Sequence, residues 1–339
     1  MYVRSISLLI LAILAVPSGS SAQQLTTKDT SSDKKAQVQS DNNPAPAPPK
    51  ENWAAFNDLK TGLHPMTADV VQHAETADFV REMVRVEWRL GDPIDLWIMR
   101  PKSAGKVPVV LYLYSYISES DRFRDDGWAK RATADGFAAV GFVSAFANER
   151  FKMRPMKQWF ISELPEAVGS SVHDVQLIVD YLAARGDMDM DRVGMFGMGS
   201  GATIAILAAH ADPRIKTLDV LDPWGDWPDW FESTPVVLDS ERAQYTSQKY
   251  LKSVATFDPL AYLPTLKIPN LRLQQTMSDA TTPAKAKERL AAAVPSQDQV
   301  VKYQNDEALL KAWKTAGLSG WIKQQMRSQK PQAVAMSSQ

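Results

Sequence analysis

The residues best placed to do chemistry lie in one short turn, Gly197-Met198-Gly199-Ser200-Gly201. An apolar strand leads into this turn and an alanine-rich helix follows directly. This is the setting in which a protein holds a serine hydroxyl exposed as a nucleophile for acyl transfer. The central position, however, is Gly199, which has no side chain, and Ser200 follows one place later. The turn therefore suits a nucleophile but has no hydroxyl at its centre.

A serine nucleophile also needs a base and a carboxylate that orients the base. Histidine is scarce, and it occurs only at His64, His73, His173 and His210. Asp279 follows a late strand and Asp222 follows the strand before it, so both are candidate carboxylates. If Ser200 is the nucleophile, His173 is the candidate base.

The strand, turn and helix around Gly199 resemble the α/β-hydrolase fold, and most closely the dienelactone hydrolases, esterases and prolyl-oligopeptidase-like enzymes. The resemblance covers about residues 84–313, and it includes the Ile268-Pro269 entry to a late strand and Asp279 before Thr282-Pro283. It implies a serine at the centre of the turn, an acid after a late strand, where Asp279 stands, and a histidine after the last strand. Here Gly199 stands at the first of these positions, and residues 303–307 contain no histidine. The resemblance therefore predicts the fold together with a degenerate triad.

Several residues are predicted to line a pocket beside this turn. In the resembling family, the loop after the third strand carries an oxyanion donor, and here that loop has no glycine, so we expect it to be altered. Three tryptophans recur at every third position from Trp224 on. We expect them to form either a lid over a ligand or the packing between a cap and the body of the domain. The pocket candidates are Tyr114, Ser115, Tyr116, Met198, Trp224 and Trp227.

These residues leave three functions open. The first is a non-standard or inactive hydrolase-fold protein that binds a small ligand. The second is an esterase-like hydrolase that uses Ser200 with Asp279. The third is a dinucleotide-binding protein, because Gly197-x-Gly199-x-x-Ala202 also matches a dinucleotide fingerprint, with Asp219 or Asp222 in the ribose-binding place.

The elements around the turn predict an α/β protein with a mostly parallel, doubly wound sheet and a small cap at about residues 224–262. Short apolar runs alternate with longer amphipathic segments, a pattern typical of this class. A long helix is predicted over Pro165–Arg185. The predicted strands are Val84–Leu90 and Ile94–Met99, which form a hairpin, and then Val107–Tyr114, Ala138–Val143, Val193–Phe196, Thr217–Leu221, Leu271–Gln275 and Val300–Tyr303.

Composition excludes several other functions. The chain has 339 residues with 38 Lys+Arg against 39 Asp+Glu, so no net basic charge would attract nucleic acid. It contains no cysteine, which excludes disulfides, thiolate nucleophiles and cysteine-ligated metals. We expect no metal and no cofactor, and the expected partner is a small-molecule ligand or substrate of unknown identity.

The N-terminus indicates export. Arg4, the apolar run 6–16 and the small residues before position 23 predict a signal peptide over residues 1–22, with a retained anchor as the alternative. A disordered Pro/Ser-rich tether is predicted over residues 23–50, the folded domain over 51–327 and a disordered tail over 328–339. We expect a periplasmic or extracellular protein with no membrane span after signal cleavage.

Overall fold

A nine-stranded sheet forms the centre of the protein. The computed structural model describes residues 51–56, 68–89, 91–102, 105–116, 121–146, 150 and 163–328. The strands are β1 (Asp69–Glu75), β2 (Phe79–Val86), β3 (Ile94–Pro101), β4 (Val107–Leu113), β5 (Ala138–Gly141), β6 (Met188–Met198), β7 (Ile215–Leu221), β8 (Asn270–Thr276) and β9 (Val300–Tyr303). The strand order is β1-β2-β3-β5-β4-β6-β7-β8-β9.

The strand directions confirm the predicted α/β class. The strands from β5 through β4, β6, β7, β8 and β9 are parallel, whereas β1, β2 and β3 pair antiparallel and β3 joins β5 antiparallel. The predicted hairpin of β2 and β3 is present, with Val84 opposite Leu96, although β2 spans Phe79–Val86 rather than the predicted Val84–Leu90. Strand β1 was not predicted, because all of its residues are exposed and it has no buried face to produce an apolar alternation.

Helices cover both faces of the sheet, because the central strands are apolar on both sides. They are α1 (Asp121–Arg124), α2 (Asp126–Thr133), α3 (Leu164–Arg185), α4 (Ser200–Ala211), α5 (Trp227–Ser233), α6 (Asp239–Tyr245), α7 (Gln248–Val254), α8 (Ala284–Ala292), α9 (Asp306–Ala316) and α10 (Gly320–Ser328). Val109 and Leu111 of β4 belong to one apolar cluster, and Val110 and Tyr112 belong to the other.

The long helix α3 lies where it was predicted. It has a proline in its first turn and ends at Gly186, whose φ of 78° is the left-handed cap that glycine provides. Val168, Val172 and Val175 are buried along one face. The spacing of apolar residues in the sequence thus predicts the position of this helix correctly.

The chain between β7 and β8 consists of short helices. It contains α5, α6 and α7, followed by single 3₁₀ turns at Ala255–Phe257, Pro259–Ala261 and Leu263–Thr265. This is the segment for which the cap was predicted, and we call residues 224–262 the cap. No helix in the described ranges is both long enough and apolar enough to cross a membrane. The predicted signal peptide, tether and most of the tail lie outside the described residues.

Candidate functional site

The turn between β6 and α4 has the geometry of a nucleophile elbow. Gly199 adopts φ 56° and ψ −121°, a conformation that is strained for any residue with a side chain. Its N–H donates to the carbonyl of Leu221 at 2.9 Å, and its carbonyl accepts from Ala202 at 3.1 Å. The sharp turn is therefore anchored to the neighbouring strand and to the helix that follows it.

The two flanking glycines fix the register of the turn. A Cβ on Gly197 would lie 2.7 Å from the Cα of Ala202 and from the carbonyl oxygen of Gly201. A Cβ on Gly201 would lie 2.7 Å from the carbonyl oxygen of Tyr114. Both positions are closed to side chains by backbone atoms, which cannot rotate away. Because Gly199 lies midway between them, it occupies the nucleophile position of this elbow.

Ser115 fills the space in front of Gly199. A Cβ built on Gly199 would contact the Ser115 Oγ, would lie 2.9 Å from the Ser115 Cβ and would lie 3.4 Å from the Trp224 Nε1. Ser115 is the second residue after β4 and is half-buried. A hydroxyl from the neighbouring strand's end therefore stands where the elbow's own side chain would begin. Ser115 was predicted only as a pocket residue, and nothing in the sequence reveals this closeness.

Ser200 points toward the loop after β4. It is the first residue of α4 and only 1% exposed, and its Oγ accepts a hydrogen bond of 3.0 Å from the N–H of Tyr116. A backbone amide from this loop is the type of donor that stabilises an oxyanion in acyl transfer. The Tyr116 amide thus reaches the elbow, but its partner is the Ser200 hydroxyl, and the altered oxyanion loop stays a prediction.

Asp222 and Asp279 lie beside one buried lysine. The Lys287 Nζ lies 3.9 Å from the Asp222 Oδ1 and 3.6 Å from the Asp279 Oδ2, and it donates to the carbonyls of Thr276 and Asp279 at 2.5 Å each. Asp279 also accepts the N–H groups of Thr281 and Thr282 at 3.1 Å. The structure thus brings both predicted carboxylates together, and it adds a cation that the sequence did not predict.

Asp222 has a strongly perturbed acidity. Its backbone is in the left-handed region with φ 45°, and its Oδ1 accepts the N–H of Thr276 at 2.9 Å. Burial raises the pKa of Asp222 to about 7, and the Asp279 carboxylate adds to the rise, whereas Lys287 opposes it. Asp222 therefore changes charge near neutral pH, while Asp279 is held by its own turn.

No described imidazole accompanies Ser200. His173 is fully buried, and its Nδ1 and Nε2 face Glu51 at 2.5 Å and the Ala55 carbonyl at 3.2 Å. His210 lies against the ring of Tyr262 at 4.8 Å between centroids. Where the resembling family carries its histidine, Asn305 caps α9 by accepting the N–H of Ala308. His73 lies on the exposed strand β1, with its Nδ1 3.7 Å from a carboxylate oxygen of Glu82, and the fourth histidine, His64, lies outside the described residues.

The tryptophans after β7 form packed aromatic contacts. Trp224, Trp227 and Trp230 are at most 3% exposed, and the centroid of Trp230 lies 4.9 Å from that of Trp224 and 5.7 Å from that of Trp227. The Trp224 N–H donates to the Gly199 carbonyl at 3.4 Å, and the Thr203 Oγ1 donates to the Trp224 carbonyl at 2.6 Å. Trp224 thus contacts the elbow, while Trp227 and Trp230 pack against each other and against Phe231 within the cap.

Two other pocket candidates differ in exposure. Tyr114 is fully buried, and its hydroxyl accepts the Nε1–H of Trp128 at 3.1 Å. Met198 is half-buried at the end of β6. Together with Ser115, Tyr116 and Trp224, Met198 remains a predicted pocket residue, whereas Tyr114 packs beneath the site.

Asp219, one of the two ribose-binding candidates of the dinucleotide hypothesis, is already occupied by protein contacts. Asp219 is fully buried and accepts two hydrogen bonds from Arg272, at 2.9 and 2.6 Å, and one from Gln274 at 2.8 Å. No group of three His, Asp or Glu side chains within the described ranges is arranged to hold a metal ion.

The sequence matches the X-Pro dipeptidyl-peptidase family, S15, over residues 91–333, which is more than two thirds of the chain. The chain belongs to the S15 family. The S15 match runs from the start of the predicted hairpin turn to the C-terminal segment, and it includes the elbow, both carboxylates and the cap.

Solved structures place the S15 chain in the predicted α/β-hydrolase fold. It is similar to the acetyl xylan esterase of Paenibacillus sp. R4, with TM-score 0.59, 17% identity, and coverage of 78% of this chain and 92% of that one. The acetyl xylan esterase 1 of Thermoanaerobacterium sp. JW/SL YS485 has TM-score 0.56 and 14% identity, with coverage of 75% and 86%. At these identities the likeness shows the fold alone, and the predicted fold is confirmed.

Among curated proteins, the chain is similar to YtaP of Bacillus subtilis (strain 168), a hydrolase by its given name. The two are 22% identical over 167 residues, which is 45% of this chain and 56% of YtaP. The match thus spans little more than half the length of that protein.

Proposed function

We propose that this S15-family protein is an exported member that binds a small ligand at the carboxyl edge of the sheet and does not hydrolyse it through a serine triad. The observation that carries the proposal is Gly199 at the centre of the elbow, with the Ser115 side chain in the space of the missing one. The export rests on the predicted signal peptide at residues 1–22.

The energetics of acyl transfer support the proposal that this protein does not hydrolyse its ligand. A serine hydroxyl is a weak nucleophile until a neighbouring base removes its proton. In triad enzymes, removing a triad member leaves only about 10³–10⁴-fold catalysis over water. Here the elbow position has no hydroxyl, and the loop after β9 has Asn305 as a helix cap where the family places a base. The positions of the nucleophile and of the base are therefore both held by residues that cannot take those roles.

The second candidate function is an esterase-like reaction at Ser200 with Asp279. In its favour, Ser200 directly follows the elbow, and its Oγ lies 3.0 Å from the Tyr116 amide. Against it, Ser200 is only 1% exposed, and Asp279 is bonded to its own turn. The geometry therefore favours binding over catalysis.

The names of the similar proteins suggest ligands to test. The similar structures include acetyl xylan esterases, and the S15 family is described as X-Pro dipeptidyl-peptidase. We therefore choose acetylated xylo-oligosaccharides and Ala-Pro-p-nitroanilide as probes. Binding is measured as the shift of the protein's melting temperature. The probe is then recovered, and its mass is determined by mass spectrometry to show whether it has been cleaved. We expect one probe class to raise the melting temperature and to be recovered uncleaved.

A matched pair of variants locates the binding. Ser115→Leu introduces a bulky side chain into the space in front of Gly199, and Ser253→Leu makes the same change at an exposed position of α7. We expect Ser115→Leu to abolish the shift and Ser253→Leu to retain it. Recovery of a cleaved probe, with cleavage lost in Ser200→Ala, contradicts the proposal and supports the esterase-like alternative.

A further inference from the structure

We propose that Arg122 binds a carboxylate group of the ligand, so that the site at the carboxyl edge of the sheet takes acidic small molecules in preference to neutral ones. The inference rests on the proposed function, because it names the chemical class of the ligand bound at that edge. It concerns binding alone, and it gives the arginine no part in a reaction.

Arg122 differs from the other arginines of comparable burial. In the described part of the chain, every other buried or half-buried arginine forms an ion pair with a carboxylate. Arg272, for example, lies 2.6 Å from Asp219. Arg122 is half-buried as well, but it has no ion pair with a carboxylate of any described residue. Its charge is therefore not balanced in the way that this protein balances the others.

The side chain that Arg122 does contact is uncharged. The Cζ of Arg122 lies 4.3 Å from the centroid of the Tyr114 ring. Burial raises the pKa of Tyr114, and the positive charge of Arg122 opposes the rise, so the phenol stays neutral at physiological pH. A cation–π contact holds a guanidinium in place but does not neutralise its charge. The Tyr114 ring thus positions Arg122 and leaves it without a counter-ion.

The acidic residues nearest to Arg122 in sequence do not supply that counter-ion. Asp125 is the N-cap of helix α2, and Asp126 pairs with Arg81 at 2.7 Å. Asp121, at the start of helix α1, is exposed to solvent. Burying part of a charge is unfavourable unless an opposite charge or hydrogen-bond acceptors compensate for it. A ligand that brings its own anionic group would provide this compensation.

Arg122 lies at the same edge of the sheet as the elbow. Tyr114, on which it rests, is the first residue after β4, and the next residue is Ser115, which stands in front of Gly199. The ring centroid of Tyr114 lies 6.0 Å from that of Phe196, three residues before Gly199 in β6. In open α/β sheets, ligands bind outside the carboxyl ends of the strands. The unpaired guanidinium is therefore on the side of the sheet where a ligand is expected.

The chemistry of the guanidinium selects a carboxylate among the possible ligand groups. Its N–H donors lie in one plane and match the two oxygens of a carboxylate, which can accept two parallel hydrogen bonds. A neutral acetyl or amide group offers one oxygen and no charge. The carboxylate can belong to a uronic acid in a sugar or to the C-terminus of a peptide, and the two sources present the same group to Arg122.

Two matched pairs of probes test the preference. The first pair is a xylo-oligosaccharide with and without a glucuronic acid substituent, and the second is Ala-Pro and its C-terminal amide. Dissociation constants are measured with the purified protein by isothermal titration calorimetry near neutral pH. In one pair, we expect the acidic member to bind about 10–100-fold more tightly, the range for a charge-assisted hydrogen bond. The pair that shows the preference identifies the source of the carboxylate.

Variants on helix α1 assign the preference to one side chain. Arg122→Gln removes the charge, and we expect the acidic member to bind no more tightly than the neutral one, whose affinity stays as in the wild type. Arg122→Lys keeps the charge without the planar donors and should retain part of the preference. The control is Arg124→Gln, because Arg124 is exposed and lies over a different ring, that of Trp97, at 5.6 Å. It should retain the full preference.

The outcomes separate this inference from the proposed function. Equal affinity of the wild type for the acidic and neutral members overturns the inference but leaves the proposed function in place, since the site still binds a ligand. A preference that survives in Arg122→Gln also overturns the inference, because another group would then hold the carboxylate. Failure of all four probes to bind overturns the inference together with the proposed function.

Discussion

The side chain of Ser115 occupies the space that a side chain at Gly199 would need. A Cβ at Gly199 would lie 2.9 Å from the Ser115 Cβ, although the two residues follow different strands and are 84 positions apart. Position 199 therefore has no side-chain hydroxyl, and the Ser115 side chain fills the space beside it. This pair is the structural basis of the proposal that no serine triad acts at the elbow.

The first prediction concerns this pair. Gly199→Ala should destabilise the protein by about 1–3 kcal/mol, because alanine is strained in the backbone conformation of Gly199. The contact of the new Cβ with Ser115 adds a further cost. Adding Ser115→Gly should return part of that loss. Urea unfolding of the two single variants and the double variant measures the coupling. Gly186→Ala is the control, because Gly186 has φ 78° with open space, and it should cost only about 1 kcal/mol. Strictly additive effects would contradict the contact.

The second prediction concerns the flanking glycine of the elbow. Gly201→Ala places a Cβ 2.7 Å from the Tyr114 carbonyl oxygen, so strand β4 or helix α4 must move. We expect a loss of about 3 kcal/mol or more in the free energy of unfolding, which exceeds the loss for Gly199→Ala. A milder effect at Gly201 than at Gly199 would refute the register that places Gly199 at the centre of the elbow.

The third prediction uses the acidity of Asp222, whose pKa is raised to about 7 by burial and by Asp279. The unfolded carboxyl loses its proton near pH 4, so the native state holds more protons between pH 4 and pH 7. The contribution of this group to stability therefore falls as the pH rises through that range. Asp222→Asn keeps the acceptor for the Thr276 N–H, and it should flatten the pH dependence of unfolding.

Asp239→Asn is the control for Asp222→Asn, because the Asp239 side chain is 96% exposed. It should leave the pH dependence of unfolding as in the wild type. An Asp222→Asn protein whose stability follows the wild-type pH curve would show that Asp222 titrates normally.

The fourth prediction concerns the buried lysine. Lys287→Met leaves Asp222 and Asp279 without their shared cation and should cost about 3–5 kcal/mol. Lys285→Met, two residues earlier in α8, removes a pair with Asp229 in which the lysine side chain is 72% exposed, and it should cost at most about 1 kcal/mol. Thermal unfolding of both variants compares them, and equal losses would argue against a structural role for Lys287.

Much of the fold is predictable from the sequence because it depends on local periodicity. The apolar spacing of Val168, Val172 and Val175 predicts α3, and the short apolar runs predict the central strands, although β6 begins at Met188 rather than at Val193. Strand β1 has no such signal, because none of its residues is buried.

The site is predictable only where one segment contains it. The elbow follows from the spacing of Gly197, Gly199 and Gly201, since the backbone contacts that require glycine are local to the turn. The hydrogen bond from the Tyr116 amide to Ser200 joins residues 84 positions apart. The contact between Glu51 and His173 joins residues 122 positions apart. No residue pattern encodes such contacts, because they depend on how the strands and helices pack.

Labelling with a fluorophosphonate serine probe, followed by peptide mapping, tests the central claim most directly. The reagent forms a stable adduct only with an activated hydroxyl. For the wild-type protein at neutral pH, we predict no adduct on the peptides that contain Ser115 and Ser200. A stoichiometric adduct on Ser200 that disappears in Ser200→Ala would contradict the account, because it would show that a working nucleophile remains at the elbow.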